Sequence, residues 1–255
     1  MKLLRITCAC LLLILCSFAI QKKRNINLIF IGDSITRGAR IKDPATQAPP
    51  YFAAEYLRQQ NNAGTIQFSN QGVSGFTTAD FLPATHTVYN KVRAAADAFY
   101  ADKQAQLIFS IMLGTNDSAI SGPRGAPATP ATYSNNLKII TDSLLLAYLD
   151  CKVVINYPLW YSPNTHNAGA AYNQEGFDRL LTYLPEIDKL VKQYGKTNKG
   201  HVFVGDKKAY DYFKTNYQTD FFAENGKDGV FYLHPNEKGA AALGKFWGEA
   251  IGRVM

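Results

Sequence analysis

The stretch Asn27–Gly38, NLIFIGDSITRG, carries four consecutive apolar residues, Leu28–Ile31, straight into Gly32-Asp33-Ser34. A strand with one wet face alternates apolar and polar positions, whereas a parallel strand covered on both faces reads as an unbroken apolar run. The segment therefore calls for a sheet with a helical layer on each side. Ligands of such sheets bind in the crevice beyond the carboxyl ends of the strands. A serine one step past that end is the candidate nucleophile, Ser34, although Gly-Asp-Ser is also ordinary turn and helix-cap chemistry.

Four more β-prone runs follow, at Thr65–Phe68, Leu107–Leu113, Lys152–Tyr157 and His201–Val204. Helical spacing marks Tyr51–Gln60, Val88–Tyr100, Tyr133–Tyr148, Gly176–Tyr194 and Glu237–Val254. Five strands separated by helices imply right-handed crossovers and an α/β, doubly wound, three-layer sandwich. The alternation alone leaves the strand order open.

Ahead of this pattern, Lys2 and Arg5 precede an apolar segment from Ile6 to Cys16, then Ser17-Phe18-Ala19 with small residues at the two cleavage-determining positions. Residues 1–19 read as a secretory signal peptide, with an uncleaved anchor as the alternative. The apolar run is short for a membrane span, so no stable span is expected after cleavage, and a secreted or periplasmic chain follows. Residues 20–255 read as one domain without linker or repeat. Cys8, Cys10 and Cys16 leave with the leader, and Cys151 alone forms neither a disulfide framework nor a cysteine metal site. Losing Lys2 and Arg5 lowers the net charge from +7 to +5. The remaining cations are spread out, unlike the clustered stripe of a nucleic-acid binder, and so no nucleic-acid partner is expected.

Three of the expected strands end in polar, glycine-bearing sequences that must share one sheet edge. These are Gly32-Asp33-Ser34, Ser69-Asn70-Gln71-Gly72-Val73-Ser74-Gly75 and Leu113-Gly114-Thr115-Asn116-Asp117-Ser118. Gly72 lets a backbone N–H approach a substrate atom closely, and Asn116 offers an amide donor. With the N–H of Ser34 they make three donors able to surround the oxyanion of a tetrahedral intermediate. Each has an ordinary use as well, Gly72 in a turn and Asn116 as a cap. Of the four histidines, His86, His166, His201 and His234, the last precedes a Pro-Asn turn and a closing helix. It is the best candidate base for a serine that is a poor nucleophile at its own pKa.

Gly32-Asp33-Ser34-Ile35, Asn70-Gln71-Gly72, Gly114-Thr115-Asn116-Asp117 and His234-Pro235-Asn236 resemble, in order and spacing, the four blocks of the SGNH hydrolase superfamily, the GDSL esterases and lipases. The resemblance implies a flavodoxin-like sandwich and acyl-ester hydrolysis without metal or organic cofactor. It implies Ser34 as nucleophile, His234 as base, and the Ser34 N–H, Gly72 N–H and Asn116 side chain as the oxyanion hole. The family's acid lies three residues before the histidine, and that position here is Phe231. Asp228, six before His234, serves if Phe231-Tyr232-Leu233 loops out; otherwise Glu224 or a backbone carbonyl orients the imidazole. A carboxylate in that place holds the tautomer and stabilises the imidazolium.

Leu159-Trp160-Tyr161-Ser162-Pro163-Asn164 follows the fourth strand, and aromatic rings at that edge can stack on sugar faces or pack in the core. The expected substrate is a small-molecule or polysaccharide ester, above all an O-acetylated carbohydrate. A lipase or lysophospholipase, and a degenerate glycan-binding protein, are the alternatives. A flavin or nucleotide binder fits less well, because the first block is neither a P-loop nor G-x-G-x-x-G. Arg124 and the glycine- and proline-rich loop 122–130 are expected to wall the site.

Overall fold

The computed structural model describes residues 23–255; the expected leader at 1–19 lies outside the described residues. Strands β1 (Arg24–Gly32), β2 (Ala63–Gly72), β3 (Ala105–Met112), β4 (Lys152–Ile155) and β5 (Val202–Val204) form a parallel sheet in the order β2-β1-β3-β4-β5. A separate antiparallel hairpin joins β6 (Phe221–Gly226) to β7 (Gly229–Pro235). In chain order the helices are α1 (Ser34–Arg37), α2 (Pro44–Gln47), α3 (Pro49–Arg58), α4 (Val88–Tyr100), α5 (Pro130–Ala147), α6 (Asn173–Thr197), α7 (Ala209–Asp220) and α8 (Glu237–Gly252).

The unbroken apolar run of β1 divides by parity, because successive strand side chains point to opposite faces. Ile29 and Ile31 join Phe109, Ile111, Val153 and Ile155 in a core closed by α4, α5 and α6. Ile26, Leu28 and Phe30 join Ile108, Met112 and Val154 in a second core closed by α3, α7 and α8. On that side Phe30 stacks on Trp247 of α8 with ring centroids 5.7 Å apart. This is the expected three-layer α/β sandwich. Cys151 is buried in the first core, as a small hydrophobe.

Strand order decides where a ligand goes. From β1 the chain crosses to β2 on one side and to β3 on the other, so a crevice opens at the carboxyl ends of these three strands. Their extensions are the three polar, glycine-bearing sequences. Helix α7 and the hairpin were not foreseen. The α7 sequence AYDYFKTNYQTD is crowded with aromatic, Thr, Asn and Asp residues of modest helix propensity, and the core it covers decides its state. Among the described residues no helix is long and apolar enough to cross a membrane.

Candidate active site

Ser34 opens α1 at the end of β1. The preceding Asp33 caps that helix, its Oδ1 accepting from Ile35 N at 2.9 Å. Asp33 is buried, and loss of solvation pushes its carboxyl up to about 6 against the pull of that N–H and of nearby His234. Its role is to aim the serine. The hydroxyl it presents lies 2.9 Å from His234 Nε2.

His234 arrives from β7, where the pairing slips by one residue between Phe221–Pro235 and Ala223–Tyr232, so that Leu233 and His234 together oppose Phe222. Such a bulge turns a side chain out of the regular alternation. Pro235, which has no N–H to donate, then ends the strand, and Asn236 caps α8 by accepting from Gly239 N at 3.0 Å. The His-Pro-Asn sequence thus fixes the imidazole from its carboxyl side.

The acid beside His234 is Glu224, not Asp228. Glu224 Oε1 lies 2.7 Å from His234 Nδ1 and also accepts from the His234 main-chain N at 3.2 Å. Its Oε2 accepts from Arg40 Nη1 at 3.2 Å. With Nδ1–H directed at the carboxylate, Nε2 is left as the acceptor for the Ser34 hydroxyl. Phe231-Tyr232-Leu233 does not loop out; it is regular β7, with Phe231 opposite Glu224. Six residues of extended strand therefore separate Asp228 from His234, roughly 20 Å at about 3.3 Å per residue. Asp228 occupies the hairpin tip, where its Oδ2 meets His166 Nδ1 at 2.9 Å.

The expected donors also require a correction. Asn116 is placed as expected, buried and lining the cavity that contains Ser34. Its Oδ1 accepts from Tyr172 Oη at 2.6 Å and its Nδ2 donates to Phe76 O at 2.9 Å, which leaves one amide hydrogen for a ligand. Burial raises the Tyr172 hydroxyl well above its ordinary range, so it remains a donor. Gly72 is not at the cavity: its N–H donates to Asn70 Oδ1 at 2.9 Å, and a Cβ there would meet Arg37 N at 2.3 Å. It is a glycine so that α1 can lie against β2. The backbone at the cavity belongs to Gly75, with φ +78° and open space where a Cβ would stand. The second glycine of Gly72-Val73-Ser74-Gly75, the first past the strand end, was the available signal.

Beneath these donors Asp117 ties the β3 loop to the β2 loop, its Oδ1 accepting from Thr78 N at 3.0 Å and from the Thr78 hydroxyl. Burial pushes the Asp117 carboxyl up to about 7. The cavity itself is about 470 Å³ and is lined by Ser34, Ser74, Gly75, Phe76, Asp80, Asn116, Arg124, Asn167, Tyr172, Leu233 and His234, among others. Trp160 and Tyr161 are absent from this lining. Trp160 is buried against Phe177, Tyr217 and Phe221, and Tyr161 bonds Ser118 Oγ, so the aromatic run after β4 is core and offers no sugar-stacking platform. A larger cavity, about 700 Å³, opens at the opposite edge of the sheet beside Arg24, Asn62, Lys103 and Met255, and its lining holds no serine, cysteine or histidine. Among the described residues no group of three or more His, Cys, Asp or Glu is arranged to hold a metal ion.

The sequence model of the GDSL-like lipase/acylhydrolase family matches residues 30–242. No curated protein sequence matches the chain. Among solved structures, a carbohydrate acetylesterase from Sinorhizobium meliloti shares 17% identity at TM-score 0.58, over 91% of this chain and 100% of its own. The aryl esterase of M. smegmatis shares 16% identity at TM-score 0.59, over 90% and 100%. A two-domain esterase active on acetylated mannans shares 16% identity at TM-score 0.54, over 91% of this chain and 50% of its own. At such identities the likeness is one of fold.

Proposed function

The chain belongs to the GDSL-like lipase/acylhydrolase family and is a carboxylic ester hydrolase, and from that premise we propose that it is an exported O-acetylesterase acting on carbohydrate esters. One observation carries the mechanism. Ser34 Oγ, His234 and Glu224 form a single chain of contacts, 2.9 and 2.7 Å long, that opens into the 470 Å³ cavity.

In this reading His234 Nε2 takes the Ser34 proton as Oγ attacks the ester carbonyl. The Ser34 and Gly75 N–H groups and Asn116 Nδ2 hold the oxyanion, and Glu224 holds the imidazolium. The proton then passes to the leaving sugar hydroxyl as the C–O bond breaks, giving an acyl-Ser34 ester. Water, deprotonated by the same imidazole, attacks that ester; acetate leaves and the proton returns to Ser34. A sugar rather than a lipid alcohol is supported by the polar side chains that share the cavity with Ser34, namely Ser74, Asp80, Arg124 and Asn167. Two solved structures of the same fold come from esterases described by acetylated carbohydrates, which favours the same reading. Export rests on the sequence of residues 1–19.

The test is acetate release from O-acetylated sugars by purified protein, run beside p-nitrophenyl acetate and p-nitrophenyl laurate, with Ser34→Ala as control. The expected result is turnover of the acetylated sugars and of p-nitrophenyl acetate, lost in the variant. Turnover of laurate well above acetate, with acetylated sugars untouched, would sink the carbohydrate reading. Activity surviving in Ser34→Ala would sink the mechanism.

A further inference from the structure

One wall of the Ser34 cavity is built by the loop between β3 and α5 and the loop before α6. Their backbones are joined where Ile120 N donates to Ala171 O at 2.8 Å and where Ser121 bridges Ala171. Of three polar side chains bordering the cavity, two have an acceptor engaged by the protein and the third carries donors alone. Asn167 Oδ1 accepts from Gly169 N at 2.9 Å and Ala170 N at 2.8 Å, which leaves its Nδ2 hydrogens. Ser74 Oγ accepts from Arg37 Nη1 at 3.3 Å, which leaves its O–H. Arg124 has donors only, and one of them, Nη1, reaches Asp80 Oδ1 at 3.1 Å.

Arg124 is exposed and yet fixed. Its side chain is 67% exposed, yet it is anchored to an Asp80 side chain that is 8% exposed. Asp80 is held in turn, its Oδ2 accepting from Thr77 N at 2.9 Å, while Thr77 Oγ1 donates to Arg124 O at 2.7 Å. The arginine is therefore tied at backbone and guanidinium. Free arginines lose much rotamer entropy on binding; one already held in place loses less per hydrogen bond formed. Arg37, whose guanidinium meets Ser74 rather than a carboxylate, adds positive charge at the same rim.

We propose that the free donors of Arg124, Asn167 and Ser74, set beside an Asp80 carboxylate whose oxygens Arg124 and Thr77 already engage, form a carboxylate subsite, and that the preferred substrate is an O-acetylated sugar that itself carries a carboxylate. The substrate half rests on the acetylesterase reading above. Arg124 offers the planar fork that pairs with a carboxylate through two N–H groups, and Asn167 Nδ2 and the Ser74 hydroxyl supply donors to the same group. A neutral sugar leaves these donors to water and gains less.

The experiment has two arms, both on the whole protein at low salt. The first measures inhibition of p-nitrophenyl acetate hydrolysis by free galacturonate and by galactose. The expected result is competitive inhibition about tenfold or more stronger with galacturonate, the scale of one charge-assisted hydrogen bond, fading as salt is added. In Arg124→Met the galacturonate constant weakens by about the same factor while that for galactose does not, and Arg124→Lys recovers part of the loss. The second arm compares kcat/KM for O-acetylated methyl galacturonoside and methyl galactoside. The uronate is expected to lead in wild type, with its lead lost in Arg124→Met. Equal inhibition of wild type by the two sugars, or a galacturonate constant unmoved by Arg124→Met, overturns the subsite. Galacturonate-selective inhibition with neither acetylated sugar turned over upholds the subsite and removes the acetylesterase reading.

Discussion

Both carboxylates of the β6–β7 hairpin that meet an imidazole do so at nearly the same distance, Glu224 with His234 at 2.7 Å and Asp228 with His166 at 2.9 Å. Distance does not tell them apart; surroundings do. The His234 and Glu224 side chains are 13% and 6% exposed, whereas those of His166 and Asp228 are 24% and 50% exposed. The first pair has a serine hydroxyl at the far nitrogen and an arginine behind the acid. At the hairpin tip, water screens the attraction and competes for the hydrogen bond. An acid–imidazole pair becomes catalytic machinery when burial preserves its field and a third group receives its effect.

Glu224→Gln breaks that difference most directly, since it keeps the shape and removes the charge. Losing the acid of such a triad costs about 10⁴-fold in kcat. We expect a loss of about 10³ to 10⁴ on p-nitrophenyl acetate, with KM little changed and the thermal midpoint followed to exclude unfolding. A loss smaller than about tenfold would show that Glu224 only buttresses the hairpin.

Asn116→Ala tests the opposite side of the same cavity. Removing one preorganised oxyanion donor costs about 10² to 10³ in kcat. Tyr172→Phe, which releases Asn116 Oδ1 without removing the amide, should cost clearly less. Equal losses in the two variants would mean that Asn116 matters only as the partner of Tyr172.

The strand-end half of the site was legible because parallel-sheet topology does the positioning. Once Leu28–Ile31 is a doubly covered strand, Ser34 and Asn116 must emerge at one edge whatever the detailed packing. The hairpin half was not, because its geometry depends on register. Whether Glu224 or Asp228 faces His234 turns on the short Lys227-Asp228 connection between Gly226 and Gly229 and on the bulge at Leu233–His234. A change of one residue in register would have sent Glu224 to the other face. Folding the chain back on Asn225-Gly226-Lys227-Asp228-Gly229 was the available clue. Gly72 misled for a related reason: it is the last residue of β2, with its N–H taken by Asn70 Oδ1, and Gly75 is the first glycine beyond the strand end. Trp160 could not be read at all, since an aromatic beside a polar loop looks the same whether a core or a ligand lies against it.

Burial also leaves a signature in stability. Asp117 and Asp33 hold their protons to about 7 and about 6 in the fold, against ordinary carboxyl values of 3.8. Both folded values lie above the unfolded ones, so the native state binds the extra protons. Their contribution to stability is fully present below about pH 4 and is lost as pH rises through about 6 to 7, by up to roughly 1.4 kcal/mol per pH unit per group. Urea midpoints taken from pH 4 to 8 should fall less steeply in Asp117→Asn than in wild type. An identical slope in both would mean that water reaches Asp117.

Arg40 stands between the two regimes. It bonds buried Glu224 Oε2, yet its own side chain is 52% exposed. Arg40→Met removes a positioning contact and leaves Glu224 Oε1 on the imidazole. Solvent screening limits the interaction to about 1 kcal/mol, and kcat should fall by only about fivefold, with less of the difference remaining at high salt. A loss matching that of Glu224→Gln would make the guanidinium, rather than burial, the source of the acid's effect.

The smallest effect belongs to the pair that gives the comparison its meaning. Asp228→Asn replaces a half-exposed carboxylate at a two-residue turn, where an ion pair contributes about 0 to 1 kcal/mol and asparagine is as good a turn former. The expected change in kcat is within about twofold, and any loss should appear in the unfolding midpoint instead. A tenfold or greater fall in kcat with the midpoint unmoved would mean that the hairpin tip transmits to His234 through β7. Glu224 would then share the acid's role with a residue six positions along the strand, and the contrast between buried and exposed pairs would fail.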